Sequence, residues 1–357
     1  MSREFLAERI WRGEDMLSFA ARSILAPLSL AYQTGISGRN ALYDDGILRS
    51  HTPAIPAISV GNLSVGGTGK TPVSSWIAAQ LRDRGAHPVI VLRGYGDDEP
   101  IVHRRLQPDV PVIVSPDRLR GIAEAAAQGA DIAVMDDAFQ HRRVRRIADV
   151  VLISADDWTE RQRLLPAGPW REPLSAVKRA TLIVITRKAA TDNASDSIRA
   201  ATHAVVRGLP IAMLDLRIEN VVREDGSDRM PVGDLRDSKV LAIAAIADTR
   251  AFVRQLEGTG ALVRASLFPD HYPFNHADAA RLVASLSAGE RAICTLKDAV
   301  KLAPLWPRAA SPLWYVSQRV TPVGRGELFD ALFDAVLAVR ATFQSQHHGP
   351  AESRHGD

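Results

Sequence analysis

The chain has 357 residues, 46% of them hydrophobic and 24% charged, with 44 basic against 41 acidic side chains. That length predicts two domains, and the apolar share excludes disorder except at the ends. A net charge of +3 makes no case for nucleic acid as a partner, and a lone cysteine, Cys294, excludes an internal disulfide framework and fits a reducing compartment.

In chain order, the first apolar run is Leu17–Ala31, interrupted by Arg22 and by Pro27, which predicts a kink. It is shorter than the roughly 20 apolar residues that span a bilayer. Glu4, Glu8, Glu14 and Asp15 ahead of it argue against a signal peptide. Leu17, Ala21, Ile24 and Leu28 recur at the spacing of one helical stripe. Such a helix either packs on the protein's own core or lies in a membrane interface.

Strands are then predicted at Ala57–Val60, Pro88–Leu92, Ile132–Met135, Val150–Ile153 and Leu182–Thr186, with helices at Val73–Leu81 and Leu119–Gln128 between them. From Ile211–Val222, a strand-like alternation ending in the charged turn Arg223–Arg229, a second series begins. It runs through Val240–Ala247, Ala251–Leu256, Leu262–Leu267, Ala277–Leu286, Arg291–Thr295 and a strand at Leu313–Val316. An amphipathic helix over Glu327–Phe343 closes it, and a polar tail expected to be disordered follows.

The sharpest feature is Ser59-Val-Gly-Asn-Leu-Ser-Val-Gly-Gly-Thr-Gly-Lys-Thr-Pro72, in which a strand enters a glycine-rich loop and a helix opens at Lys70-Thr71. Glycines let backbone N–H groups turn onto phosphate oxygens, and the helix N-terminus adds positive partial charge. Ser64, Val65, Gly66, Gly67, Thr68, Gly69, Lys70 and Thr71 are therefore the candidate nucleotide cradle, with Lys70 on the β- and γ-phosphates and the Thr71 hydroxyl on Mg²⁺. Ser64 stands where the usual pattern has its first glycine. Downstream, Asp131-Ile-Ala-Val-Met-Asp136-Asp137 is a short strand ending in two carboxylates, the place of a Walker-B aspartate. The fold class is thus α/β, a P-loop NTPase-type core with a mainly parallel sheet plus a second, smaller α/β domain.

Several segments in order resemble the tetraacyldisaccharide 4′-kinase family, the lipid A 4′-kinases of Gram-negative bacteria. They are Val60–Pro72, Leu92-Arg-Gly-Tyr-Gly96, Asp98-Glu-Pro100, Asp136-Asp-Ala-Phe-Gln-His141, Leu165-Pro-Ala-Gly-Pro-Trp-Arg-Glu172, Phe268-Pro-Asp-His271 and Lys297-Asp-Ala-Val-Lys301. Departures are Ala138, Leu296 and a short link between Arg93-Gly-Tyr-Gly96 and Asp98-Glu-Pro100.

The resemblance implies an ATP- and Mg²⁺-dependent kinase that phosphorylates the 4′-hydroxyl of a lipid A precursor disaccharide 1-phosphate, giving lipid IVA. It implies Asp98 as proton acceptor, with Asp97 as the alternative, and His271 as its orienting partner. Lys70 acts beside them, and Glu99, Asp136 and Asp137 join Thr71 as Mg²⁺ contacts. Asn62, Gln140, His141 and Arg171 would meet substrate. The layout expected is an N-terminal amphipathic helix touching the inner membrane from its cytoplasmic side (1–35), a kinase core (36–208) and a smaller domain (209–322). A closing helix (323–343) and the tail (344–357) complete it. Two other P-loop outcomes stay open on the residues alone: a GTPase-type switch, for which Thr186-Arg-Lys188 follows a strand, and a nucleotide-gated membrane adaptor. A kinase of soluble small molecules is the remaining alternative.

Overall fold

The computed structural model describes residues 3–94, 96 and 98–347; Tyr95, Asp97, the first two residues and 348–357, most of the expected tail, lie outside it. Two helices open the chain, α1 (Arg3–Arg12) and α2 (Met16–Asp44). Then come β1 (Ala57–Asn62), α3 (Lys70–Asp83), β2 (Pro88–Leu92), α4 (Asp98–Leu106), β3 (Val112–Val114) and α5 (Arg118–Ala127). β4 (Ile132–Asp136), β5 (Ala148–Ser154), β6 (Leu182–Arg187) and α6 (Asp192–Val205) complete the first half. The second half runs β7 (Ile211–Arg223), β8 (Arg229–Pro231), β9 (Lys239–Ala244), α7 (Thr249–Glu257), β10 (Leu262–Leu267) and α8 (His276–Ala284). It ends with β11 (Arg291–Thr295), α9 (Leu296–Leu302), β12 (Leu313–Pro322) and α10 (Glu327–His347).

Every strand expected from the alternation is present. The helix α4, which the sequence reading did not anticipate, starts on Asp98 and Glu99, whose charges suit a helix N-terminus, and carries Pro100 in its first turn, where no N–H is needed. β12 runs six residues past the expected Val316, along the polar alternation Ser317, Arg319, Thr321.

The described strands form one sheet in the order β10-β9-β11-β12-β7-β6-β5-β1-β4-β2-β3, with β8 beside β7. From β3 to β7 all pairings are parallel. Of these, β1, β2, β4, β5 and β6 are buried on both faces, which is why they read as continuous β-branched runs rather than as alternations. One face packs on α3 and α10 through Ile77, Leu81, Phe329 and Phe333; the other packs on α5 and α6 through Ile122 and Ile198. β1 lies between β4 and β5, so the chain's winding reverses beside it. In open α/β sheets that switch point, at the strands' carboxyl ends, is where ligands bind.

β7 pairs with β6 only over Ile211–Asp215 and then continues, paired antiparallel with β12 from Leu214↔Pro322 to Arg223↔Trp314. The register shifts at Ser317/Gln318, a β-bulge midway along this ribbon. β11, β9 and β10 run parallel to β12, hence opposite to the core strands. Cys294 is wholly buried in β11, and burial raises its thiol pKa well above the usual value.

α2 is polar inward and apolar outward. Towards the protein, Ser29 Oγ donates to the Leu164 carbonyl, Tyr32 OH to the Arg171 carbonyl and Asn40 Nδ2 to Glu172 Oε2. Towards solvent, Leu17 is 74% and Ile24 76% exposed, with Met16, Phe19, Leu28 and Leu30 beside them. α2 also continues through Pro27.

Phe333 in α10 is buried against Trp76 of α3, with ring centroids 5.8 Å apart. Phe333→Ala is expected to destabilise by about 3–5 kcal/mol through lost burial and a cavity, measured by urea unfolding. A loss below about 1 kcal/mol would mean that α10 does not seal the core.

Candidate active site

The loop between β1 and α3 takes the shape that its glycines permit. Gly69 has φ +84°, and a Cβ there would lie 2.3 Å from Leu216 Cδ1, so no side chain fits. Beneath the loop, Asn62 Nδ2 donates to Thr68 Oγ1 and Thr186 Oγ1 donates to the Thr68 carbonyl. Lys188 Nζ donates to the Gly67 carbonyl at 2.7 Å and to Asp248 Oδ2 at 3.0 Å. Thr186 and Lys188, which in the switch reading would meet a guanine base, thus brace the phosphate loop instead.

Beside it, Asp136 ends β4 with both oxygens engaged. Ser74 Oγ and the Asp137 N–H reach Oδ1 at 2.9 Å each, and His103 Nε2 meets Oδ2 at 3.1 Å. His103 in turn pairs with Ser75 Oγ at 2.7 Å through Nδ1. Burial pushes the Asp136 carboxyl up, but the hydrogen bond and charge of His103, with Lys70 and Ser74, outweigh it and leave its pKa lowered. Asp137 adopts the left-handed region, φ 47°, and Arg171 Nη1 holds its two oxygens at 2.9 and 3.0 Å while Lys70 Nζ stands 3.8 Å away. Arg118 caps the turn from below, bonding the Asp136 carbonyl.

α4 brings Glu99 to the same opening, with Asp98 beside it behind the cavity wall. Asp98 is buried and its Oδ2 has no hydrogen-bond partner. Burial first, then the charges of Asp136, Asp98 and Asp137, push the Glu99 carboxyl up to about 7, against the opposing pull of Lys297. From the second half come His271, also left-handed at φ 56°, and Lys297 at the start of α9. Of the three non-glycine residues with positive φ among those described, two, Asp137 and His271, therefore stand here.

These groups line one cavity of about 1330 Å³ between the two halves, with Trp11, Tyr32 and Arg39 of the N-terminal helices at its wall. Val65, Gly66, Gly67, Thr68, Gly69, Lys70, Thr71, Glu99, Asp136, Asp137, Gln140, His141, Arg171 and His271 all face it. Ser64 does not: it bridges to Trp170 and turns to a smaller cavity of about 130 Å³. The Asn62 side chain is likewise spent under the loop. Asp97, the alternative to Asp98, lies outside the described residues. Burial, and then Arg118, Arg146, Arg93 and Arg143, press His141 down to about 4, leaving a neutral imidazole. Arg142 and Arg146 hold Asp44 and Asp149 and do not line the cavity, whereas Arg171 does, together with Arg39, Arg93 and Arg118.

Three residues of this neighbourhood lacked a role in the sequence, His103, Asp248 and Lys297, and Lys188 had only the base-reading role of the switch alternative. Of the three, only Lys297 carried a signal, its place in the Lys297–Lys301 segment. For Mg²⁺ the donors fit: a hydroxyl and carboxylates are hard oxygen ligands, and Glu99, in an excess of negative charge, gains from a cation. Among the described residues no group of three acidic, His or Cys side chains forms a cage of its own. That suits an ion held largely by phosphate oxygens and water.

The sequence matches the family described as tetraacyldisaccharide-1-P 4′-kinase over residues 21–100 and 96–338. A tetraacyldisaccharide 4′-kinase of Anaeromyxobacter sp. (strain Fw109-5) is 37% identical, covering 93% of this chain and 97% of its own. That of Halorhodospira halophila is 34% identical, over 84% and 88%. A crystal structure of the "apo" form of LpxK from Aquifex aeolicus in complex with ATP superposes with a TM-score of 0.70 at 28% identity, covering 88% of this chain and 99% of that one.

Glu99 gives a pH test. Its folded pKa is raised from 4.5 to about 7, so its contribution to stability is full below the unfolded value and is lost as pH rises through 7. Without nucleotide or metal, wild type is expected to lose melting temperature relative to Glu99→Gln between pH 6 and pH 8. Parallel melting curves would show that the site does not load Glu99 with unfavourable charge.

Proposed function

The chain belongs to the tetraacyldisaccharide-1-P 4′-kinase family, and from that premise we infer the following division of labour in its reaction. The protein is an ATP-dependent kinase of lipid A biosynthesis: it moves the γ-phosphate of ATP to the 4′-hydroxyl of a tetraacyldisaccharide 1-phosphate, and lipid IVA and ADP leave. What carries this reading is that the phosphate loop, Glu99 and His271 share a single cavity, with Asp98 buried next to Glu99 at the start of α4.

The loop Val65–Thr71 receives the phosphates, and Lys70 and Arg171 exchange Asp137 for phosphoryl oxygens as nucleotide enters. Asn62 acts at one remove, by holding Thr68 in the loop, and Ser64 anchors the loop's start through its backbone bridge to Trp170. Thr71, Glu99, Asp136 and Asp137 would hold Mg²⁺, which would supply charge neutralisation to the transferring phosphoryl group. Asp136 is oriented for this by Ser74 and His103. The unpartnered Oδ2 of Asp98 takes the proton of the 4′-hydroxyl as the new O–P bond forms and the bond to ADP breaks. Gln140, neutral His141 and Arg171 position the sugar and its charge. His271 orients Asp98 from the opposite side of the cleft.

The same reading places the enzyme on the cytoplasmic face of the bacterial inner membrane, as a peripheral protein. No helix among the described residues is long and apolar enough to cross a bilayer. α2 instead offers an outward apolar face, and each of its exposed leucines and isoleucines seated among acyl chains contributes about 1.5–3 kcal/mol.

Two measurements test this. With Mg²⁺ and detergent-dispersed tetraacyldisaccharide 1-phosphate, wild type is expected to transfer label from γ-³²P-ATP. Asp98→Asn should lower kcat by about 10²–10⁴-fold while still binding ATP. A fully active Asp98→Asn would move the proton acceptor elsewhere, and no transfer by wild type would end the kinase reading. In the second, the triple variant Leu17→Glu, Ile24→Glu, Leu28→Glu should lose sedimentation with anionic vesicles at unchanged melting temperature. Undiminished sedimentation would refute membrane seating through α2.

A further inference from the structure

Lys297 stands at the centre of the groups that handle the proton. Its Nζ is 3.1 Å from His271 Nε2 and 4.0 Å from both Asp98 Oδ2 and Glu99 Oε1. A lysine ammonium has three hydrogens and no lone pair, so it only donates. With Lys297 donating, His271 Nε2 accepts and a neutral ring carries its proton on Nδ1, against the pull of the Asp270 carboxylate 3.9 Å from the same nitrogen.

Nδ1 points to a place that matters. At Gly96, φ +82°, the position of a Cβ would lie 2.6 Å from Asp98 Oδ1 and 3.8 Å from His271 Nδ1. Carboxylate and imidazole thus border the same point, which Gly96 leaves without a side chain, and they do not touch there in the open cleft. A ring protonated on Nδ1 offers Asp98 a donor there; a ring protonated on Nε2 would present a lone pair to a carboxylate and repel it. In water the Nε2–H form is the more populated one, so the useful tautomer needs a cause.

We propose that Lys297 is a positioning residue for phosphoryl transfer that fixes His271 as its Nδ1–H tautomer, so that the ring holds Asp98 Oδ1 and leaves Oδ2 free to take the hydroxyl proton. Both residues belong to the second half of the chain, Lys297 opening α9 and His271 following β10, whereas Asp98 lies on α4 of the core. The tautomer is therefore set before the two halves meet around substrate, and His271 arrives already able to donate. This rests on the assignment of Asp98 as proton acceptor, but the tautomer can be read without turnover.

The test uses the full chain with ¹⁵N-labelled histidine, the His271 resonances being identified by their loss in His271→Gln. Wild type is expected to show Nδ1 protonated and Nε2 as the bare nitrogen. Lys297→Met should shift His271 towards the Nε2–H form and lower kcat roughly 10- to 100-fold, with the KM for ATP little changed. Lys297→Arg, which retains a donor, should recover most of both. An Nε2–H ring in wild type, or a Lys297→Met ring with an unaltered tautomer, overturns the proposal, and the wild-type spectrum decides even if a variant folds poorly. If Asp98→Asn stays active while Lys297→Met still shifts the tautomer, the proton-acceptor assignment fails and the hold of Lys297 on His271 stands.

Discussion

The antiparallel pairing of β7 with β12 is the constraint on which the rest of the molecule depends. β7 leaves the core parallel to β6, and β12 returns beside it in the opposite sense. Every strand that then pairs from β12 outward inherits the reversed direction. The carboxyl ends of β1, β4 and β6 therefore face the carboxyl ends of β9 and β11 across one gap. In α/β architecture both sets of ends are where functional loops gather. A single change of strand direction thus sets the phosphate loop opposite His271 and Lys297, the chain crossing between the halves along a two-stranded ribbon and the Lys188–Asp248 pair bridging beside it. The bulge at Ser317/Gln318 interrupts that ribbon's ladder, the place where bending costs least.

The charge arrangement in the gap follows from bringing these ends together. Carboxylates from β4 and α4 crowd one side, and the molecule meets the resulting repulsion in three ways. Asp136 is satisfied by hydrogen bonds, Asp137 by Arg171 and Lys70, and Glu99 by holding its proton up to about pH 7. Each arrangement is altered by an incoming polyanion and its cation. The site is thus stable without nucleotide, yet its cations are held by a partner that phosphate can replace. Left-handed backbone at Asp137 and His271 belongs to the same economy, since both are residues held by their surroundings in sparsely populated conformations.

The core was legible because its parallel strands are buried on both faces and so appear as runs such as Val89-Ile-Val-Leu92 and Ile183-Val-Ile185. The phosphate loop was legible because its chemistry is local: one stretch of chain supplies cradle, lysine and hydroxyl. What escaped the sequence is what only distance in space creates. His103 sits one helical turn beyond Glu99 and reads as a surface residue of a short basic stretch, yet it is wholly buried against Asp136. Lys188 suggested a base-reading motif because spacing along the chain does not say which way an ammonium points. The unexpected length of β12 has a similar cause, since a ribbon exposed on its faces alternates polar residues and looks like a loop. Asn62, read as a direct contact from its place in the motif, turns inward because the Thr68 hydroxyl needs a partner, and Ser64 opens instead to the smaller cavity beside Trp170.

The inside-out character of α2 has a consequence for how a four-chained lipid reaches such a cleft. Tyr32 and Arg39, on the helix's inner side, line the same cavity as the phosphate loop, while its outer side carries the exposed leucines and isoleucines. Withdrawing an acyl chain from a bilayer into water costs about 0.8 kcal/mol for each methylene, which over several chains exceeds what any binding site recovers. With α2 seated as proposed, the chains need never leave. The sugar headgroup alone rises past the helix into the cavity, and enzyme and lipid meet by diffusing within one plane rather than through solution.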